Sequence, residues 1–205
     1  MLSPEESLSR EEIYHGRAVN VYVDTVQKPS GKKTTREVVV HSDCVAVVVI
    51  DDQGNVLLVY QFRHPVGKFL LEVPAGGIYR GEGPIDCVCR ELQEEIGYLP
   101  RKIEKLGGFY SIPGYGTEYL HCYLATDLAP SRLVAEDTEG IEIVRVPPDQ
   151  IPQLITSGEI CDAKSIAALL TFLFIKRGKN LQRRFHQKKT YQVELLDGRN
   201  QKGAK

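Results

Sequence analysis

Seven consecutive residues without a polar side chain of any size, Cys44–Ile50, set the tightest limit on how this chain can fold. The run is rich in β-branched Val, which favours a strand, and a strand apolar at every position is expected to be buried on both faces. The segments around it supply the neighbours. Residues 12–41 read as β: Val19, Val21 and Val23 alternate with Asn20, Tyr22 and Asp24, Pro29-Ser30-Gly31-Lys32 turns the chain, and Val38-Val39-Val40 follows. Asp51-Asp52-Gln53-Gly54 is a turn into a strand over 56–62, so a hairpin is expected, and 69–73 is a further short strand. Strands are also expected over 105–110, 118–125 and 141–146, and helices over 147–156 and 163–176, joined through Gly158. Interspersed strands and helices with hairpins put the chain in the α/β or α+β class with a mixed sheet.

The most definite helix starts at Pro84, suited to a first helical position, with Asp86 in its first turn and Gly97 where it should stop. Ile85, Val88, Cys89, Leu92 and Ile96 fall on one apolar stripe. Glu91, Glu94 and Glu95, spaced i, i+3, i+4, cluster away from that stripe. Three neighbouring carboxylates repel, and an acidic helix face can simply be solvated. A hard divalent cation would reverse the repulsion, because oxygen donors are what Mg²⁺ and Mn²⁺ prefer.

Composition removes other classes of function. Hydrophobic residues are 42% and charged residues 26% of the 205, which argues against a mainly disordered or fibrous chain. The amino terminus lacks a basic stretch followed by an apolar one, so a secretory signal is not expected. No apolar run is long enough to cross a bilayer of about 30 Å. The five cysteines (Cys44, Cys87, Cys89, Cys122, Cys161) contain no C-x-x-C pair and read as free, mostly buried thiols in a reducing cytoplasm. The formal net charge of -1 conceals a division. From Lys176 onward ten Lys and Arg face two acidic residues, while the remainder carries an acidic excess. The basic tail reads as a solvated terminus, and nucleic acid is not an expected partner.

The glutamates belong to a longer pattern: Gly76, five residues, Glu82, seven residues, then Arg90-Glu91-Leu92-Gln93-Glu94-Glu95-Ile96-Gly97-Tyr98. This resembles the Nudix box of hydrolases that cleave nucleoside diphosphates linked to another group. All seven fixed positions match, against a chance on the order of 10⁻⁸ per start position. Tyr98 departs mildly from the aliphatic residue usual at the final position. The resemblance implies a mixed-sheet α/β/α sandwich with an additional N-terminal antiparallel β-sheet and a loop–helix–loop metal site. Glu91, Glu94 and Glu95 would be the metal carboxylates, with the backbone carbonyl of Ala75 often adding a ligand. Arg90, grouped with Glu94 in the catalytic set, would brace the loop against the helix together with Glu82. Mg²⁺, or Mn²⁺ in its place, would then neutralise the diphosphate and acidify the attacking water. A further carboxylate is needed to orient or deprotonate that water. Glu139, in the loop before the strand at 141–146, matches best, with Asp137 as the alternative.

The flanks resemble the ADP-ribose pyrophosphatase branch over most of residues 10–175. Gln61-Phe62-Arg63-His64-Pro65 and Leu71-Glu72-Val73-Pro74-Ala75-Gly76 look like its pre-box segment. Pro113, sixteen residues past Gly97, stands where the branch carries a marker proline, and Gly158-Glu159-Ile160-Cys161-Asp162-Ala163 resembles the start of its C-terminal helix. Arg63 suits a diphosphate oxygen pair, and Glu118 a ribose hydroxyl or adenine. Members are typically homodimers whose N-terminal strands swap and help form the partner's adenosine pocket. The expected organisation is an N-terminal β segment over 1–42 that dimerises, a hydrolase domain over 43–177 and a basic tail over 178–205. The expected activity is Mg²⁺-dependent hydrolysis of ADP-ribose to AMP and ribose 5-phosphate. Another nucleoside diphosphate sugar such as GDP-mannose is the near alternative, and a nucleotide-sensing or RNA-associated module is the alternative of a different class.

Overall fold

The computed structural model describes residues 3–135, 139–177 and 190–192. Its first sheet is three antiparallel strands in chain order, β1 (Glu6–His15), β2 (Asn20–Gln27) and β3 (Lys33–Val40). The expected turn at 29–32 joins the last two. β1 begins six residues before the β segment read from sequence, because all ten of its residues are exposed and no alternation betrays it. The ladder to β2 and a two-pronged ion pair hold it instead: Arg10 Nε and Nη2 each lie 2.7 Å from an oxygen of Asp24.

The second sheet carries the site. Its strands are β4 (Cys44–Ile50), β5 (Val56–Arg63), β6 (Lys68–Glu72), β7 (Ala75–Gly77), β8 (Tyr98–Tyr110), β9 (Tyr119–Pro130), β10 (Glu142–Val146) and β11 (Thr190–Gln192). The order is β10-β5-β4-β9-β8-β11, with β6 beside β5 and β7 beside β4. Among the described strand pairs of this sheet only β4 with β9 runs parallel, so the sheet is mixed as expected. β8 starts seven residues earlier than its sequence suggests, because Pro100 interrupts the β pattern and yet Tyr98, Leu99 and Pro100 pair with Pro130, Ala129 and Leu128 of β9.

The helices are α1 (Pro84–Glu95), α2 (Ile151–Ser157) and α3 (Ala163–Arg177). The sequence places α2 four residues too early. Pro147 and Pro148 form a turn closed by the Gln150 N–H on the Pro147 carbonyl, and the helix begins after it. Gly158 ends α2 at φ +83°, and Gly97 ends α1 at φ +74°, both backbone shapes that favour glycine.

β4 alternates between two cores. Cys44, Ala46 and Val48 pack with Ile151 of α2 and Ala168, Leu169 and Phe172 of α3. Val45, Val47 and Val49 pack with Cys87, Val88 and Leu92 of α1. The sheet thus lies between α1 on one face and α2 with α3 on the other, the α/β/α sandwich that the double burial of Cys44–Ile50 requires. No helix among the described residues is long and apolar enough to cross a membrane. The basic tail over 178–205 falls outside the described residues apart from 190–192, whose backbone pairs with β8.

Candidate active site

α1 projects its carboxylates beneath the short strand β7. Glu91 and Glu95 are 8% and 7% exposed, so this is not a solvated acidic face. Gly76 is the reason they fit: a Cβ there would overlap the Glu91 carboxylate. Glu95 accepts the Ala75 N–H at 3.2 Å, which ties the helix to the residue whose carbonyl is the expected extra ligand.

Arg90 fastens the loop to the helix. Its Nε and Nη2 donate to both oxygens of Glu82 at 2.8 and 3.0 Å, and Nη2 also reaches the Gly77 carbonyl at 2.9 Å. Nη1 donates to Glu91 at 2.6 Å and Glu94 at 3.1 Å, and the guanidinium lies 4.0 Å over the Tyr79 ring. Burial alone would weaken the charge on Arg90, but Glu82 and Glu91 outweigh it and the group stays cationic. The same hydrogen bond from Arg90 holds the Glu82 carboxyl below its ordinary range. This is the bracing geometry expected of Arg90 with Glu82.

One arginine does not balance the glutamates. Burial, and then the charge of Glu91, push the Glu95 carboxyl up to about 8. Burial raises Glu91 as well, against the pull of Arg90. Carboxylates held together at that cost, with oxygen donors only, fit a hard divalent cation.

Arg63, at the end of β5, faces the same cavity of about 540 Å³, whose lining includes Gln61, Ala75, Gly77, Tyr79 and the α1 glutamates. It is held by Glu72, with Nη2 and Nε at 2.7 and 2.8 Å from one carboxylate oxygen. Glu72 is 2% exposed and also takes Lys164 Nζ from α3 at 2.7 Å. Sequence reasoning missed Glu72 and Lys164, which are 92 residues apart in the chain. An acidic residue in an otherwise apolar strand was the one local signal for Glu72.

The remaining expected residues lie apart from the cavity wall. Pro113 is exposed in the loop between β8 and β9. That loop is tied to the end of β3 by the Val39 N–H on the Tyr115 carbonyl and the Thr117 N–H on the Val39 carbonyl. Glu118 pairs with His41 and Cys44 at this junction. Glu139 is exposed just ahead of β10; the same loop lends Val134 and Ala135 to the cavity. Asp137 lies outside the described residues. Cys44, Cys87 and Cys122 are buried, Cys89 is half-buried and Cys161 exposed, and all five are free.

Residues 40–169 match the family model described as the NUDIX domain. The ADP-ribose pyrophosphatase of Bacillus subtilis (strain 168) is 34% identical over 181 residues, 87% of this chain and 97% of that protein. The ADP-ribose pyrophosphatase of Mycobacterium tuberculosis is 32% identical over 195 residues, 94% of this chain and 91% of that one. A solved structure described as an ADP compounds hydrolase superposes with a TM-score of 0.77 at 23% identity, over 89% of this chain and 98% of its own.

Proposed function

The chain belongs to the Nudix hydrolase family, and on that premise we propose that it splits the diphosphate of ADP-ribose into AMP and ribose 5-phosphate. The observation that carries the reading is that Arg63 and the α1 glutamates line one cavity. A guanidinium matches paired diphosphate oxygens, and the carboxylates lining the same cavity would hold the metal. Glu91, Glu94 and Glu95, with the Ala75 carbonyl, are the Mg²⁺ ligands, and Mn²⁺ can replace it. When bound there, the metal supplies charge neutralisation for the diphosphate and a lowered pKa for the attacking water.

The chain's own residues do the rest. Glu72 and Lys164 fix Arg63 in the rotamer that meets the substrate. Arg90 positions Glu91 and Glu94 and keeps the loop closed on the helix, acting through those side chains. Glu139 orients or deprotonates the water from the loop that also gives Val134 and Ala135 to the cavity wall. Pro113 and Glu118 serve the nucleoside end. Residues 1–42 form the dimerisation segment, in which β1 presents Leu8, Ile13 and Tyr14 outward and is completed by a second copy. The free thiols fit a reducing cytoplasm.

Purified protein with Mg²⁺ is offered ADP-ribose, ADP-glucose, GDP-mannose, NADH, diadenosine polyphosphates and 8-oxo-dGTP. ADP-ribose should turn over fastest; placing it among the slowest overturns the substrate. Glu94→Gln and Glu95→Gln should each lower turnover at least about a hundredfold, the scale of losing one group that serves the transition state, with circular dichroism unchanged. Full activity in both removes the carboxylate site. A mass in solution near the single-chain 23.0 kDa overturns the dimer.

A further inference from the structure

The geometry points to a second metal site, distinct from the α1 carboxylates, in which His41 Nδ1, Cys44 Sγ and Glu118 Oε1 hold Zn²⁺. These three donors come from the loop after β3, the first residue of β4 and the residue preceding β9, and lie within 4.8 Å of one another. Their separations are 3.1 Å for Cys44 to Glu118, 3.4 Å for His41 to Glu118 and 3.9 Å for His41 to Cys44. A tetrahedral zinc with its usual nitrogen, sulfur and oxygen bond lengths has ligand-to-ligand edges of about 3.3–3.6 Å. The observed triangle brackets that range, so the ion enters with small side-chain adjustments.

The Ser42 carbonyl lies beside the triangle and accepts from Nδ1 at 2.7 Å and from Sγ at 3.7 Å, hydrogen bonds that the donors give up when the ion binds. Chemistry selects the ion. A thiolate with an imidazole suits Zn²⁺ and excludes Mg²⁺, which the oxygen-only site on α1 prefers. On binding, the thiol proton leaves to solvent and the imidazole proton moves from Nδ1 to Nε2. A dication with one thiolate and one carboxylate is then neutral, which suits a half-buried position.

The donors are held before any ion arrives. The His41 N–H donates to Thr117 Oγ1 at 3.1 Å, and the Thr117 hydroxyl donates to the His41 carbonyl at 3.2 Å. Cys44 is fixed in the β4 ladder, opposite Gly77 and Leu120. Both contacts of Glu118 use Oε1, leaving Oε2 for the ribose contact proposed above. An ion here staples the end of the N-terminal sheet to the start of β9.

The test uses the full chain stripped with chelator, then titrated with Co²⁺ as the spectroscopic stand-in for Zn²⁺, with Mg²⁺ in excess to fill the carboxylate site. One Co²⁺ per chain should give a near-ultraviolet thiolate charge-transfer band and the intense visible bands of a tetrahedral ion. Cys44→Ser should abolish the charge-transfer band, and His41→Ala should weaken binding at least about tenfold. Cys161→Ser and Glu94→Gln should leave the band intact, which separates this site from other thiols and from α1. Zn²⁺ should raise Tm in the wild type and not in folded Cys44→Ser. Co²⁺ bound without the charge-transfer band, or a band that survives Cys44→Ser, overturns the proposal.

Discussion

Arg90 spends its guanidinium on Glu82, Glu91, Glu94 and the Gly77 carbonyl together, and Gly76 lets the glutamate beneath come close enough to be reached. A methyl group is therefore enough to disrupt the site. Gly76→Ala should cost about 1–3 kcal/mol of stability, the range for overpacking, and remove most hydrolysis; thermal unfolding and turnover together check this. Glu95 gives a dependence on pH with a definite sign. Its carboxyl is raised in the folded protein, so the protonated form stabilises the fold. That contribution is full below the ordinary carboxylate pKa and is lost as pH rises through about 8. In chelator, Glu95→Gln should gain Tm relative to wild type on going from pH 5 to pH 8.5, and a constant difference would refute it. The types and spacing of these residues were legible in the sequence because the carboxylate cluster is built on one helix turn and one loop. Glu72 and Lys164 were not, because their meeting depends on β6 and α3 converging across the sheet.

At the level of elements, legibility followed burial. Cys44–Ile50 was found from its own composition, since both faces are in the core. β1 left no such trace: every residue of Glu6–His15 is exposed, and pairing rather than patterning makes it a strand. Its attachment should then answer to the Arg10–Asp24 pair. The hydrogen bonds from Arg10 hold the Asp24 carboxyl below its ordinary range. The charged form is the stabilising one, so the contribution is present above the ordinary carboxylate pKa and is lost as pH falls through the depressed folded value. Asp24→Asn should speed hydrogen exchange in Glu6–His15 at neutral pH and leave α1 unchanged. Equal protection of β1 in both proteins would show that the backbone ladder suffices.

Across the whole molecule, the sandwich with its mixed sheet was legible and the junction between the two sheets was not. Val39 and the loop carrying Pro113 come together through backbone hydrogen bonds, which residue type does not encode, and His41 joins them through the Thr117 hydroxyl, 76 residues away in the chain. The same distance in sequence governs how the protein is made. β4 needs β9 as its parallel neighbour, and Cys44 meets Leu120 only after the intervening 75 or so residues exist. Closing so long a loop is slow, and strands paired this way form late. While the ribosome is still extending the chain, the apolar strand β4 has one side unpartnered. Nascent chains halted before Tyr119 should stay protease-sensitive and bound to chaperones, and those extended past α3 should become resistant. The order of synthesis, rather than the stability of the finished enzyme, is then the step at which β4 is most exposed to error.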